Sequence, residues 1–175
     1  VQAIEPFANS LVLRLKQDLN DGKIIFGGFF TNKQQVLNTN YFKSSFVSKA
    51  NVMGADFEYA LPDPAWVVSG YTATSTLLGT EKIISEIQRN SAHYFQMPDD
   101  EVTLDTTKTQ LDGTSSELSL TKISGKNIKG SFTYRQISPG YDINELGYIR
   151  SANTKQLKSY IEYEDFVPKK YWQLL

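Results

Sequence analysis

Hydrophobic and polar residues alternate along this chain in short stretches, paired through tight turns and set apart from the next pair by long loops. From Ser10 to Leu19, Leu11, Leu13, Leu15 and Leu19 fall on one side and Ser10, Arg14, Lys16 and Asp18 on the other. A period of two belongs to an extended strand, not a helix. Asn20-Asp21-Gly22 then reverses the chain, because these residues accept the positive φ angles of hairpin turns, and Lys23 to Thr31 returns as a strand rich in Ile and Phe. A second unit sets Met53, Ala55, Phe57, Tyr59 and Leu61 against Val52, Gly54, Asp56 and Glu58, turns at Pro62-Asp63-Pro64 and returns over Ala65 to Ser75. The third runs from about Thr114 to Ser124, turns at Gly125-Lys126-Asn127 and returns from Ile128 to Gln136. Here Ile128, Gly130, Phe132 and Tyr134 oppose Lys129, Ser131, Thr133 and Arg135. A fourth unit spans Leu157 to Phe166, turns at Val167 to Lys170 and breaks off within Tyr171 to Leu175.

This pattern predicts an all-β fold of antiparallel up-and-down strands, part of an outer-membrane-type transmembrane β-barrel, with tight turns at one end and long loops at the other. Most segments reach the roughly 9 to 11 residues that a membrane-crossing strand needs. With no initial Met, no signal peptide and an unfinished last strand, residues 1–175 are expected to be an incomplete segment of one barrel domain, about four hairpins with the last truncated. Propeller blades repeat at a fixed period with four strands, which these irregular two-strand units do not.

Composition leaves that expectation standing. The 40% hydrophobic content and a mean hydropathy of −0.36 exclude a transmembrane helix, but barrel strands carry polar residues at alternate positions and average no more apolar than soluble ones. Ten Tyr, ten Phe and two Trp are many, and Tyr41, Phe42, Trp66, Tyr148, Tyr171 and Trp172 read as strand-end aromatics. Such rings form interfacial girdles in a barrel and core in a soluble sandwich. The absence of Cys removes disulfides and thiolate metal sites, and a net charge of −1 gives no electrostatic attraction to nucleic acid.

Three segments carry a resemblance: Arg14 to Gly22 (RLKQDLNDG), Ile87 to Asp99 (IQRNSAHYFQMPD) and Ile137 to Tyr148 (ISPGYDINELGY). In this order they resemble the motifs of a bacterial family of unknown function, common in Bacteroidota. Full-length members pair a carbohydrate-binding family-nine-like domain with a large C-terminal outer-membrane-type β-barrel. The resemblance implies that this chain lies within the barrel part, and it supplies no catalytic residues.

The central loop, Thr76 to Asp112, is the first place to look for function. Thr80 suits an N-cap and Glu81 a first helical turn, and Ile83, Ile84 and Ile87 follow helical spacing, so a helix is predicted over 81–89. Ile83, Ile84, Ile87, Arg89, His93, Tyr94 and Phe95 are the candidates for a loop constriction, the plainer reading being that the isoleucines pack the loop on its own wall. His93 is the only histidine; without Cys it makes no tetrahedral zinc site unless carboxylates join it, and a local packing or hydrogen-bonding role is expected. Asp99, Asp100, Glu101 and Asp105 are acidic but lack EF-hand spacing, so a solvated loop is expected, with no metal and no cofactor.

The other candidates are Arg14, Lys16, Asp56, Glu58, Lys129, Arg135, Glu162 and Glu164, each opposite an apolar face and therefore lumen-facing in a barrel wall. Charges of both signs there suit either a salt-bridged lumen or a polar path for solutes. The expected function is that of a non-enzymatic outer-membrane barrel component, surface-exposed or channel-forming, with a link to glycan handling. Its expected partners are outer-membrane lipid, the remainder of the barrel and a glycan, not nucleic acid. Two alternatives stay open: a soluble carbohydrate-binding β-sandwich, with Trp66 or Trp172 as a platform, and a glycan-active enzyme domain with paired carboxylates.

Overall fold

In the computed structural model of this chain, residues 4–62, 65–96, 102–125 and 127–165 are described. They form β1 (Phe7–Leu19), β2 (Ile24–Val36), α1 (Asn40–Ser45), β3 (Lys49–Ala60), β4 (Trp66–Leu78), α2 (Glu81–Arg89), β5 (Gln110–Lys122), β6 (Ile128–Ile137) and β7 (Thr154–Tyr163). The strands make one antiparallel sheet in sequence order, β1 through β7. The sheet is open: among the described residues, β1 and β7 each pair along one edge only. It is a single up-and-down layer, and the turn and strand expected at Val167 to Leu175 lie outside the described residues.

The first hairpin shows how the turns work. Asn20 and Asp21 both take φ of 56° and Gly22 takes 84°, while the Gly22 N–H donates to Asp18 Oδ1 at 2.8 Å. The three hairpin turns β1–β2, β3–β4 and β5–β6 gather at one end, joined by backbone bonds such as Ala60 N–H to Lys23 O, 2.8 Å, and Ile123 N–H to Ala65 O, 2.7 Å. The long connections 37–48, 79–109 and 138–153 gather at the other.

The strands run further toward the loop end than their apolar pattern suggests. β2 continues through Asn32, Lys33, Gln34 and Gln35, and β3 begins at Lys49, because backbone pairing persists where the exposed apolar face gives way to polar residues. Tyr41, Phe42 and Tyr148 are corrected: none is at a strand end. The first two sit on α1, which Thr39 caps by accepting from the Phe42 N–H at 3.1 Å, and Tyr148 sits in the 138–153 loop.

Register sorts the side chains into two faces. One carries Leu13, Leu15, Phe26, Phe30, Met53, Phe57, Leu118, Leu120, Phe132, Tyr134, Leu157 and Ile161, which lie exposed or partly so. Its charged residues sit at strand ends only, Lys49, Asp112 and Lys155 by the loops and Lys122 by the turns. The core forms on the opposite face, where α2 and the 138–153 loop fold down. Ile83, Ile84 and Phe95 pack on Ala50, Leu77 and Leu111, and beside them Tyr141, Ile149 and Ala152 pack with Ala73 and Ile137. Fully burying Ile84 alone contributes about 1.5–3 kcal/mol.

The second cluster depends on a close approach of backbones. A Cβ at Gly113 would lie 2.0 Å from Tyr141 N, and one at Gly140 would lie 2.1 Å from Asp112 O. No rotamer relieves such a contact, so Gly113→Ala is expected to lift the 138–153 loop and lower stability by about 1–3 kcal/mol. Gly28→Ala, whose Cβ would meet an atom no closer than 3.6 Å, serves as control. Thermal melts with limited proteolysis check this; equal melting and cleavage in the two variants would refute it.

Candidate functional site

The charged face and the two loops that cover it form the candidate site. Lys16, Gly27, Asp56, Tyr71, Glu117, Arg135 and Gln156 stand opposite one another across six strand pairs, so they make one row over the sheet. Glu58 lies one row nearer the turns and Lys129 pairs with Glu162, all on this face. The register thus brings seven of the eight charged candidates, Arg14 among them, to one side, and the eighth, Glu164 just past β7, joins them through its ion pair with Lys129.

There they pair with each other. Arg14 reaches over β2 to Asp56 on β3, with both Nη atoms on the carboxylate and Nη2 2.8 Å from Oδ1. Gly27 opens the way, since a Cβ there would lie 2.9 Å from Arg14 Nη2. Lys129 Nζ donates to Glu164 Oε2 at 2.7 Å, and Tyr160 donates to Glu162. Lys16 and Glu58 make no ion pair among the described residues. Arg135 Nε lies 3.9 Å from Glu117 Oε2, too far for a hydrogen bond, and that nitrogen is buried without a partner. The pairing leaves this face closer to self-neutralised than to one sign.

The loop candidates divide by role. α2 forms over Glu81–Arg89 as its spacing predicts, with the Ile83 N–H donating to Thr80 Oγ1 at 3.5 Å and the same hydroxyl donating to Lys43 O at 2.9 Å. Ile83, Ile84 and Phe95 are buried and Ile87 packs beside them, while Arg89 and Tyr94 stay exposed. Gln88, which the sequence does not single out, is fully buried. Its amide donates to Asp105 O and accepts from the Asp105 N–H, both at 2.9 Å, and so imitates a strand pairing between helix and loop.

His93 departs from expectation: its partners are distant in sequence. Nδ1 lies 2.7 Å from Pro139 O and Nε2 lies 2.8 Å from Asp142 Oδ2, with both side chains buried. A carbonyl and a carboxylate both accept, so each ring nitrogen of His93 faces an acceptor at hydrogen-bond distance. Burial alone would raise the Asp142 carboxyl, but hydrogen bonds from His93 and the Asn144 backbone, with the His93 charge, hold it below its usual value. The Asp142 N–H donates to Ser75 Oγ on β4, and Ala152 N–H to Ala92 O at 2.7 Å. Lys33 Nζ, 2.6 Å from Glu145 Oε2, fastens the same loop to β2. The second and third sequence motifs are therefore one latched unit.

Between that loop and strands β4 to β7 lies a cavity of about 440 Å³, lined by Tyr71, Arg135, Ile137, Tyr141, Ile149 and Arg150 among others. No cluster of His, Asp and Glu among the described residues suits a metal ion, and Asp99, Asp100 and Glu101 lie outside them. Asp105 accepts from the N–H and Oγ1 of Thr107.

A family model described as Domain of unknown function (DUF5916) matches residues 1–175. The chain belongs to that family. No curated protein matches it, and no solved structure does. Membership in this family brings no assigned activity.

The latch makes a pH prediction. A carboxyl held below its unfolded value contributes stability above about pH 4, lost as pH falls through its lower folded value. Hydrogen exchange in 138–153 is expected to quicken on acidification below about pH 4. Asp142→Asn should remove that acid step and lower stability by about 1–3 kcal/mol, because the buried His93 nitrogen then keeps a poorer partner. An acid step that survives in the variant would assign it elsewhere.

Proposed function

We propose that this chain forms a stretch of the wall of a bacterial outer-membrane β-barrel, a non-enzymatic channel-forming or surface component whose loops narrow the lumen. One observation carries the reading: the middle of one sheet face holds no charged side chain and is left exposed, while every mid-strand charge lies on the other. A face in water gains nothing from that exclusion, whereas lipid demands it.

Strand dimensions support the same reading. Strands of 13 residues are about 43 Å long, and a tilt of about 45° lets such a strand cross a hydrocarbon core of about 30 Å. At the turn end Lys122 Nζ lies 5.7 Å from the centre of the Trp66 ring, a pairing suited to a membrane interface. The unpaired edges of β1 and β7 suit continuation into further strands. Both inward loops then lie inside the barrel, where α2 and the His93–Asp142 latch obstruct the path. A carbohydrate-binding sandwich would need a second sheet on the apolar face, and the described strands form one layer. A link to glycan handling rests only on the resemblance of the sequence motifs.

Because the chain has no cysteine, single labels report on each face. In full-length protein in lipid vesicles, a fluorophore at Phe57→Cys is expected to be quenched by a lipid-borne quencher. One at Asp56→Cys should respond to an aqueous quencher instead. Equal aqueous quenching at both would remove the membrane reading.

Conductance tests the obstruction. In planar bilayers, His93→Ala and deletion of 80–96 should each raise single-channel conductance, and Arg135→Glu should shift ion preference toward cations. Unchanged conductance in both loop variants would place the loops outside the conduction path.

A further inference from the structure

Two guanidiniums that make no hydrogen bond among the described residues come together in the cavity beneath the 138–153 loop. Arg135 and Arg150 both line it, and neither makes a hydrogen bond among the described residues; Arg135 Nε is moreover a buried donor. No carboxylate lines the cavity, and the one acid paired with its arginines among the described residues, Glu117, stands 3.9 Å from Arg135 Nε, too far to accept a hydrogen bond. Elsewhere on this face Arg14, Lys33 and Lys129 are satisfied by acids. A buried donor without an acceptor is costly unless something supplies one, and a guanidinium fork matches a carboxylate in geometry and charge.

The remaining walls say what the rest of the ligand is. Ile137, Ile143 and Ile149 with the rings of Tyr71, Tyr141 and Tyr148 surround the arginines, and a volume of about 440 Å³ falls in the range of small-molecule sites. Tyr71 Oη already lies 3.1 Å from Ser115 Oγ, so that hydroxyl is engaged and its ring is what the cavity gains. Burial holds the Tyr141 phenol neutral by pushing its titration upward, so it adds no competing negative charge. Ser115, engaged with Tyr71, and Ser151, Thr154 and Gln156 complete the lining, while the three isoleucines and the tyrosine rings give the ligand an apolar surface to lie on. Apolar rings beside two guanidiniums favour a flat hydrocarbon ring bearing one carboxylate.

We propose that this cavity is a binding site for a small aromatic carboxylate, with Arg135 and Arg150 on the carboxylate and the isoleucines and tyrosines on the ring. The site is built by the loop and the sheet and does not depend on membrane insertion.

Isothermal titration of the full-length protein with benzoate, its neutral isostere benzamide, and acetate tests this directly. Benzoate is expected to bind at least tenfold more tightly than either of the others. Arg135→Gln and Arg150→Gln should each weaken benzoate about tenfold, and Arg135→Lys should weaken it less than Arg135→Gln. Arg150 is exposed, so its variant retains the fold and keeps the test decisive if Arg135→Gln misfolds. Benzamide equal to benzoate would overturn the ionic half of the proposal, and acetate equal to benzoate the apolar half. Undiminished affinity in Arg150→Gln, or no benzoate binding by the wild-type protein, would overturn the site itself.

Discussion

Lys16 stands across from Gly27, Gly27 from Asp56, Asp56 from Tyr71, and so on to Gln156, with no interruption across seven strands. That register is what the other interactions depend on. Side chains in a strand alternate strictly, so a slip of one residue at any pair would carry Arg14, Asp56 or Arg135 to the apolar face and Leu13, Phe57 or Phe132 to the polar one. The Arg14–Asp56 pair would vanish with it, because it needs Gly27 between the two residues rather than beside them. A seven-strand layer is also too thin to enclose a core of its own. It gains one only where 79–109 and 138–153 fold onto the polar face at the loop end.

The two loops solve that problem together. α2 buries Ile83 and Ile84 against Ala50, Leu77 and Leu111, while the second loop needs Gly113 and Gly140 to bring backbone against backbone. Neither loop offers a continuous apolar surface to the other, and their junction is polar: His93 to Asp142 and Pro139, and Ala152 to Ala92. Toward the turn end no loop among the described residues covers the face, and there ion pairs such as Arg14–Asp56 and Lys129–Glu164 stand partly exposed. Solvent screens pairs so exposed, so they set the sign and position of charge far more than they hold the fold.

The sequence shows the strand centres because alternation is strong there, as in Lys129 to Arg135, and it shows α2 because Thr80, Glu81 and three isoleucines agree on one helix. It hides the loop-end extensions of β2, β3 and β5, where Asn32, Gln34, Asn51 and Gln110 stand on the otherwise apolar face and the apolar residues Ala50 and Leu111 move to the opposite one, so that the alternation changes phase. It also hides α1, six residues long, in which adjacent Tyr41 and Phe42 form no helical stripe. Gln88 reads as an ordinary polar helix position, yet it is buried because Asp105 offers both a donor and an acceptor. His93 and Asp142 sit in separate motifs, and nothing local to either motif names the other. Pairing of that kind is a property of the folded loops and not of any window of sequence.

A buried His–Asp pair is an expensive way to join two loops. Desolvating both charges cancels much of their attraction, and an apolar pair of similar volume would hold the junction at least as well. What the polar pair supplies is direction: Nε2 reaches Asp142 Oδ2 in one geometry only, and Nδ1 holds Pro139 O at the same time. An apolar contact would tolerate sliding of the 138–153 loop, and sliding would move Tyr141, Ile149 and Arg150, which wall the cavity over Arg135. The Asn144 backbone and the Ser75 hydroxyl complete the fixation by binding Asp142 from two further sides. Position at the cavity, rather than stability of the sheet, is therefore what the latch maintains.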